Sequence, residues 1–331
     1  MKFIGKSPTR VDLAGGTLDL WPLYNFVGGA KTVNVAIDIW TWAEIVPLPE
    51  GKIELDSQDL GLKKSFASLA ACLADPDPAL NLLKVQLNFW KPQEGFRLTT
   101  KSESPVGGGL GGSSSLTISM LKAFSSWLHR PFESTHQMAQ VAHNMEAQVL
   151  NTPTGTQDYY PPMSGGINIL SYEFEGISQK VLSVKNTPLQ THFLLVNTGR
   201  SHHSGLNNFE VLTSAVRKDP KVLEALKQLK QVAEETAQVT QAGNWDRMKD
   251  LFQRELEARL KLTPAFSSPE IEQLIKLSLQ AGADAVKICG AGGGGCVLIW
   301  VQPSRREGVV TACQTAGFQV LGAKPVDPLT T

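Results

Sequence analysis

Residues 104–121 read SPVGGGLGGSSSLTISML, a run of glycines that opens directly onto apolar residues at helical spacing. Thr117, Met120, Leu121, Phe124 and Leu128 recur along one helix face, so the spacing predicts a helix that begins where the glycines end. Upstream, FRLTTKSE alternates like a strand until Ser104 and Pro105 stop it. From Gly107 to Gly112 the run fits the G-x-G-x-x-G template, which serves dinucleotide sites, other phosphate cradles and plain turns alike. A dinucleotide fingerprint also needs an acid about 20 positions on, at the tip of a second strand. The nearest is Glu133, which follows Arg130 and Pro131 at a helix start, and that argues against a dinucleotide. A Walker loop fails too, since Gly5, Lys6 and Ser7 have no glycine five positions before them.

What remains is a loop whose unobstructed amides point at an anion and deliver it to the positive end of a helix. That is chemistry for phosphates. Ser113, Ser114 and Ser115 at the helix start either cap it or offer a hydroxyl to a phosphate-bound Mg²⁺.

Composition sets the class around this motif. The 331 residues are 42% hydrophobic and 19% charged, enough for the cores of two soluble domains. Lys plus Arg and Asp plus Glu both number 31, so no global field favours nucleic acid or an anionic membrane. Cys72, Cys289, Cys296 and Cys313 form no zinc or redox pattern and fit a reduced setting. No apolar run is long enough to span a bilayer, and Pro8 interrupts the first residues before a signal peptide forms, so the expectation is cytoplasmic.

Along the chain, KTVNVAIDIWTWAEIVPL reads as strand, and the residues from Glu133 to Val149 as a second helix. THFLLVNTG reads as a buried strand, and helices follow with Leu223, Leu226, Leu229 and Val232 on one face and Met248, Leu251 and Phe252 on another. Near the end AVKIC and CVLIWV are strands joined by GAGGGG, and FQVLGAKP adds one more. A domain boundary is expected in loops from Glu173 to Pro188, giving units of 1–180 and 181–331.

PVGGGLGGSSS resembles the P-x-x-x-G-L-G-S-S motif of the galactokinase, homoserine kinase, mevalonate kinase and phosphomevalonate kinase superfamily, the GHMP kinases. SPTRVDLAGGTLDL resembles that family's first motif and KICGAGGGGCVLIW its third, in the same order along nearly the whole chain. The resemblance implies an α/β (α+β) two-domain fold: a β-rich N-terminal ATP-binding domain with a left-handed β-α-β crossover, and a C-terminal α+β domain. It also implies ATP and Mg²⁺ as cofactors and a small alcohol as acceptor, with no nucleic acid or membrane partner and a monomer or homodimer as the assembly.

The resemblance also assigns residues. Pro105, Gly107, Gly108, Gly109, Leu110, Gly111 and Gly112 cradle the triphosphate, with Ser113 and Ser114 beside them. Gly112 stands where the family has a first serine, and Ser113 falls on the serine that contacts Mg²⁺. From Glu146 to Asp158 the pattern E-x₆-P-x-G-x-x-D resembles the segment holding the Mg²⁺ glutamate and the catalytic aspartate. Read without the family, Glu146 is a solvated helix acid and Asp158 a loop hydrogen-bonder. Arg10 matches an arginine that keeps the catalytic carboxylate ionised. Gly292 and Gly293 match a loop near the transferred phosphate and the acceptor.

The acceptor is read from the first motif. Galactokinases and mevalonate kinases carry Gly-Glu-His there, whereas this chain has Gly15-Gly16-Thr17-Leu18-Asp19. LAGGTLDLWPLY resembles the Ala-Gly-Gly-Gly-Thr-Asp-Leu run of heptose-phosphate and fucose kinases, with Thr17 and Leu18 in place of Gly and Thr. Gly16, Thr17 and Asp19 are thereby expected to hold a sugar, Asp19 by accepting hydrogen bonds from vicinal hydroxyls. Arg200 and His202 would surround a phosphate on a phosphorylated acceptor, and are otherwise polar loop residues. The implied reaction transfers the γ-phosphate of Mg·ATP to a sugar or sugar-phosphate hydroxyl. The alternatives are a galactokinase-like or mevalonate kinase-like enzyme, or a silent homologue that only binds nucleotide or sugar.

Overall fold

The computed structural model of the chain describes residues 1–201 and 204–330. Strand β1 (Phe3–Ala14) pairs antiparallel with β2 (Ala30–Leu48), and the short helix α1 (Leu23–Phe26) lies in their connection. The first half of β2 is buried on both faces at nearly every position, with Thr32 and Asn34 among its apolar residues, while WTWAEIVPL alternates and buries only one face. β3 (Ile53–Ser57), β4 (Leu62–Phe66), α2 (Leu69–Leu73), α3 (Asn81–Trp90) and β5 (Gly95–Ser102) follow, with β3 and β5 parallel. Then come α4 (Gly112–Leu128), α5 (Thr135–Leu150), α6 (Pro161–Ser164), β6 (Ile167–Glu173) and β7 (Gly176–Leu182). The sheet runs β4-β3-β5-β2-β6-β7, with β1 on β2. α4 crosses β1 so closely that a Cβ on Gly5 would stand 1.9 Å from the Ser119 carbonyl, which fixes glycine there.

The second half begins with α7 (Leu189–His192), β8 (Phe193–Asn197), α8 (Ser204–Val216), α9 (Pro220–Ala242) and α10 (Met248–Leu260). α9 has clear punctuation: the Asp219 carboxylate accepts from the Lys221 and Val222 amides, Pro220 opens the first turn, and Gly243 ends the helix at φ +70°. α11 (Pro269–Gln280), β9 (Ala285–Ile288), β10 (Cys296–Trp300), α12 (Arg306–Thr315) and β11 (Gln319–Leu321) complete a four-stranded antiparallel sheet ordered β11-β8-β10-β9. One core joins the halves: Val33, Val35 and Ile37 of β2 share it with Leu251 and Phe252 of α10 and Leu195 and Leu298 of the second sheet. α11 and α12 cover the opposite face through Ile271, Leu274 and Val309.

Part of the segment expected as loop is a strand. Residues 176–182 are β7, in a hairpin with β6 that runs from Glu173–Gly176 to Ile167–Leu182. GISQKVL alternates only between exposed and half-buried positions, so an edge strand this polar gives no hydrophobic signal. Residues 323–329 then return to the first half, where the Val326 amide donates to Ala36 of β2 at 2.8 Å and the Leu329 amide to Ser164 at the end of α6 at 2.8 Å.

Candidate active site

The glycine run lies where the resemblance places it, between β5 and α4, lining a cavity of about 320 Å³ that both halves of the chain enclose. Gly107, Gly109 and Gly111 have φ of +65°, +71° and +67°, a conformation open to glycine at no cost. Three successive carbonyls are tied down: Gly108 accepts from the Cys296 amide at 2.9 Å, Gly109 from an Arg10 guanidinium nitrogen at 2.6 Å, and Leu110 from the Arg10 amide at 3.0 Å. A trans peptide directs its N–H opposite to its carbonyl, so the next three amides point away from these partners. α4 starts at Gly112 from an N-cap at Gly111 that supplies no side-chain acceptor. The serines therefore do not cap the helix, and its first amides stay open to an anion. Ser115 is buried, bonded to the carbonyl of Pro8 at 2.9 Å and to the hydroxyl of Thr41 at 2.8 Å, a packing role.

The predicted Arg10, Glu146 and Asp158 line the same cavity. Arg10 Nε donates to Asp158 Oδ1 and a terminal nitrogen to Oδ2, both at 2.7 Å, a planar two-point pair. Burial works against the Arg10 charge, but Asp158 outweighs it and Arg10 holds its proton more tightly than usual. One side chain thus fixes both the glycine loop and the carboxylate. Glu146 lies on α5 and is buried, not solvated, with the Ser114 hydroxyl donating to it at 2.5 Å. Burial raises its pKa, partly offset by hydrogen bonds from Ser113, Ser114 and Tyr159. A desolvated carboxylate with hydroxyl neighbours is a hard-oxygen set that a dication suits.

Asp19 is buried on the cavity wall and accepts from the Gln157 amide at 3.0 Å. Burial, reinforced by the nearby Asp158 charge, pushes its pKa up to about 6. Gly155 makes room for it, since a Cβ there would stand 2.0 Å from Asp19 Oδ2. Thr17 keeps a glycine-like φ of +82°, which a β-branched residue adopts only under strain, and its hydroxyl donates to Asn208 at 3.1 Å. Gly16, Thr17 and Asn208 all line the cavity.

Three residues named from the resemblance lie off the cavity wall. Gly292 and Gly293 do not line the cavity: the Gly293 amide donates to Phe266 at 2.9 Å, and a Cβ on Gly292 would meet that same carbonyl at 2.4 Å. Gly290 and Ala291 of that loop face the cavity instead. Arg200 is half-exposed, pairs with Glu270 at 3.0 Å and does not line the cavity. His202 lies outside the described residues. Gln157 and Asn208 carry no motif that sequence reading detects, and Gly155 stands in the pattern from Glu146 to Asp158 without a role read for it there. Four buried charges, Asp12, Glu255, Arg259 and Lys287, were also missed, although a lysine inside the apolar run AVKIC is a signal for one. The four cysteines are buried and unpaired, and burial pushes the Cys289 thiol up to about 11, so it is no nucleophile. Among the described residues no helix is long and apolar enough to cross a membrane.

Residues 76–166 match the family model described as GHMP kinases N terminal domain, and residues 229–318 match GHMP kinases C terminal, together more than half of the chain. The chain is 27% identical to a D-glycero-alpha-D-manno-heptose 7-phosphate kinase of Campylobacter jejuni, over 93% of this chain and 91% of that one. It is 25% identical to a mevalonate kinase of Pyrococcus furiosus, over 96% and 94% of the two chains. Its fold is similar to that of a D-glycero-D-manno-heptose 1-phosphate kinase from Bacteriodes thetaiotaomicron, with a TM-score of 0.77, 24% identity and coverage of 99% and 97%. With a glycine cradle at an uncapped helix, an arginine-held aspartate beside it and both halves matched, the chain belongs to the GHMP kinase family and is an ATP-dependent kinase.

Proposed function

We propose that this kinase transfers the γ-phosphate of ATP to a hydroxyl of a sugar or sugar phosphate. The observation that carries the reading is the Arg10 side chain, which bonds Asp158 and the Gly109 carbonyl at once and so sets the aspartate against the phosphate cradle. The acceptor hydroxyl lies between Asp19 and Asp158. Its oxygen forms the new bond to phosphorus, the bond to the β-phosphate oxygen breaks to release ADP, and its proton passes to Asp158. Gly107 to Gly112, with Pro105 behind them, hold the phosphates through backbone amides and the α4 N-terminus. Glu146 and Ser113 are the residues that would hold Mg²⁺, with Ser114 orienting the carboxylate. When bound, Mg²⁺ screens the phosphate charge.

Asp19 supports a polyol acceptor, because a buried carboxylate there is stabilised by hydroxyl donors that an apolar acceptor lacks. The named activity of the Campylobacter jejuni relative points to the same class.

ADP release tests the reading across monosaccharides, heptose phosphates and mevalonate, with and without EDTA. A sugar or sugar phosphate is expected to turn over, and only with divalent metal present. Asp158→Asn keeps the shape and removes the charge, so turnover should fall roughly 10²- to 10⁴-fold while ATP affinity stays near wild type. Near-wild-type transfer by that variant sinks the base assignment, and turnover of mevalonate alone sinks the sugar assignment.

A further inference from the structure

Asp12 on β1, Glu255 and Arg259 on α10 and Lys287 on β9 form one ionic cluster, each side chain with 0% exposure. Arg259 donates to Glu255 Oε1 at 2.7 Å and to Asp12 Oδ2 at 3.2 Å, and Lys287 reaches the same two oxygens at 3.1 and 2.9 Å. Two positive and two negative charges balance. Burial favours the neutral acid, yet Lys287, Arg259 and Arg10 hold Asp12 below the usual carboxylate range. Such a cluster costs so much desolvation that an apolar replacement is often as stable, so stability alone does not account for it.

Two further hydrogen bonds point to its use. Arg259 donates to the Gly16 carbonyl at 3.2 Å and to the Gly290 carbonyl at 3.1 Å. Gly16 and Gly290 line the cavity from different halves of the chain. The guanidinium also lies 5.5 Å from the Phe266 ring centroid, and the Phe266 carbonyl accepts from the Gly293 amide. Gly16 must be glycine for this: a Cβ there would stand 2.3 Å from Asp12 Oδ2 and 2.8 Å from a terminal nitrogen of Arg259.

We propose that Arg259 is a positioning residue that fixes the acceptor loop, residues 15–19, against the late glycine loop, residues 290–295. It touches neither ATP nor acceptor. Asp12, Glu255 and Lys287 hold its planar head so that it bonds both loop carbonyls, a reach that a lysine cannot match. The loss of this clamp moves the acceptor relative to the phosphate, and small displacements of reacting atoms are costly. The kinetic part rests on the kinase reading above.

The test is the Glu255→Gln/Arg259→Met double variant, which leaves Asp12 paired with Lys287 and the buried charge balanced, beside the conservative Arg259→Lys. Hydrogen exchange of the ligand-free proteins should speed at least tenfold in residues 15–19 and 290–295 while residues 107–112 keep wild-type rates. With heptose 7-phosphate as acceptor, kcat should fall at least tenfold, with the KM for ATP within twofold and Arg259→Lys intermediate. Wild-type exchange in both loops overturns the clamp, and so does wild-type turnover in a variant whose loops have loosened. A wild-type protein that phosphorylates no acceptor defeats the kinase reading, and the exchange rates still decide whether Arg259 holds the two loops.

Discussion

On the proposed reading, in which Asp19 holds the acceptor, its ionisation should report on acceptor binding. Its pKa stands near 6 against an ordinary 3.8 because burial and the Asp158 charge both disfavour the anion. The folded protein therefore binds this proton more tightly than the unfolded chain, so ionising Asp19 removes stability as pH rises from 3.8 to about 6. Catalysis should have the opposite sign, since the anion accepts the stronger, charge-assisted hydrogen bonds from the hydroxyls. The kcat/KM for the acceptor should fall tenfold per pH unit below about 6. Asp19→Asn should lower it roughly 10- to 100-fold at neutral pH, the value of a charged hydrogen bond, and flatten this limb. A pH profile that Asp19→Asn leaves unchanged would move the titration to another group.

The turn between β5 and α4 concentrates what the sequence made readable and what it did not. Its glycines, the helix after them and the strand before them follow from local chemistry, because φ near +65° and an open helix start need those residues whatever surrounds them. What the turn touches did not follow. Arg10 is 99 residues from Gly109 and 148 from Asp158, and no periodicity links them. Family resemblance supplied that pairing. It also named Gly292 and Gly293, where the loop folds onto Phe266, and Arg200, which pairs with Glu270, and none of the three lines the cavity. The Arg259 cluster was invisible because its four members belong to three elements that meet only in space. A test of the turn is Gly111→Val. A valine at φ +67° costs roughly 1–2 kcal/mol in backbone strain, and its Cβ stands 3.5 Å from Arg10 Nε and from Asp158 Oδ2, so the branches press on the pair. ATP affinity should fall at least tenfold in a folded variant, and unchanged nucleotide binding by calorimetry would remove the phosphate role from this loop.

The two halves are bound together by more than their shared core, and the last residues carry much of that attachment. We propose that the chain divides near residues 183–188, because the strands of the first sheet precede that segment and those of the second follow it. The segment from Ala323 onward crosses back over the division. The Asp38 amide donates to Lys324 at 2.9 Å, the Val326 amide to Ala36 at 2.8 Å and the Gly166 amide to Val326 at 3.0 Å. Asp327 accepts from the Ser183 hydroxyl at 2.6 Å and the Val184 amide at 3.1 Å, so the tail also pins the division itself. Ala36 is the cross-strand partner of Arg10, which puts this pairing one strand from the residue that holds Asp158. Removal of residues 323–331 should leave both sheets intact and strip these bonds from β2. At about 1 kcal/mol for each hydrogen bond, the loss is several kcal/mol, and the melting temperature should fall on the order of 10 °C. Since β1 would then rest on a less supported β2, turnover should drop more than ATP affinity, which depends on the glycine loop. Calorimetry and steady-state kinetics on the truncated protein decide it. An unchanged melting temperature would mean that the tail lies on the first sheet without holding it, and lost ATP affinity with retained turnover would place its influence on the phosphate cradle instead of on Arg10.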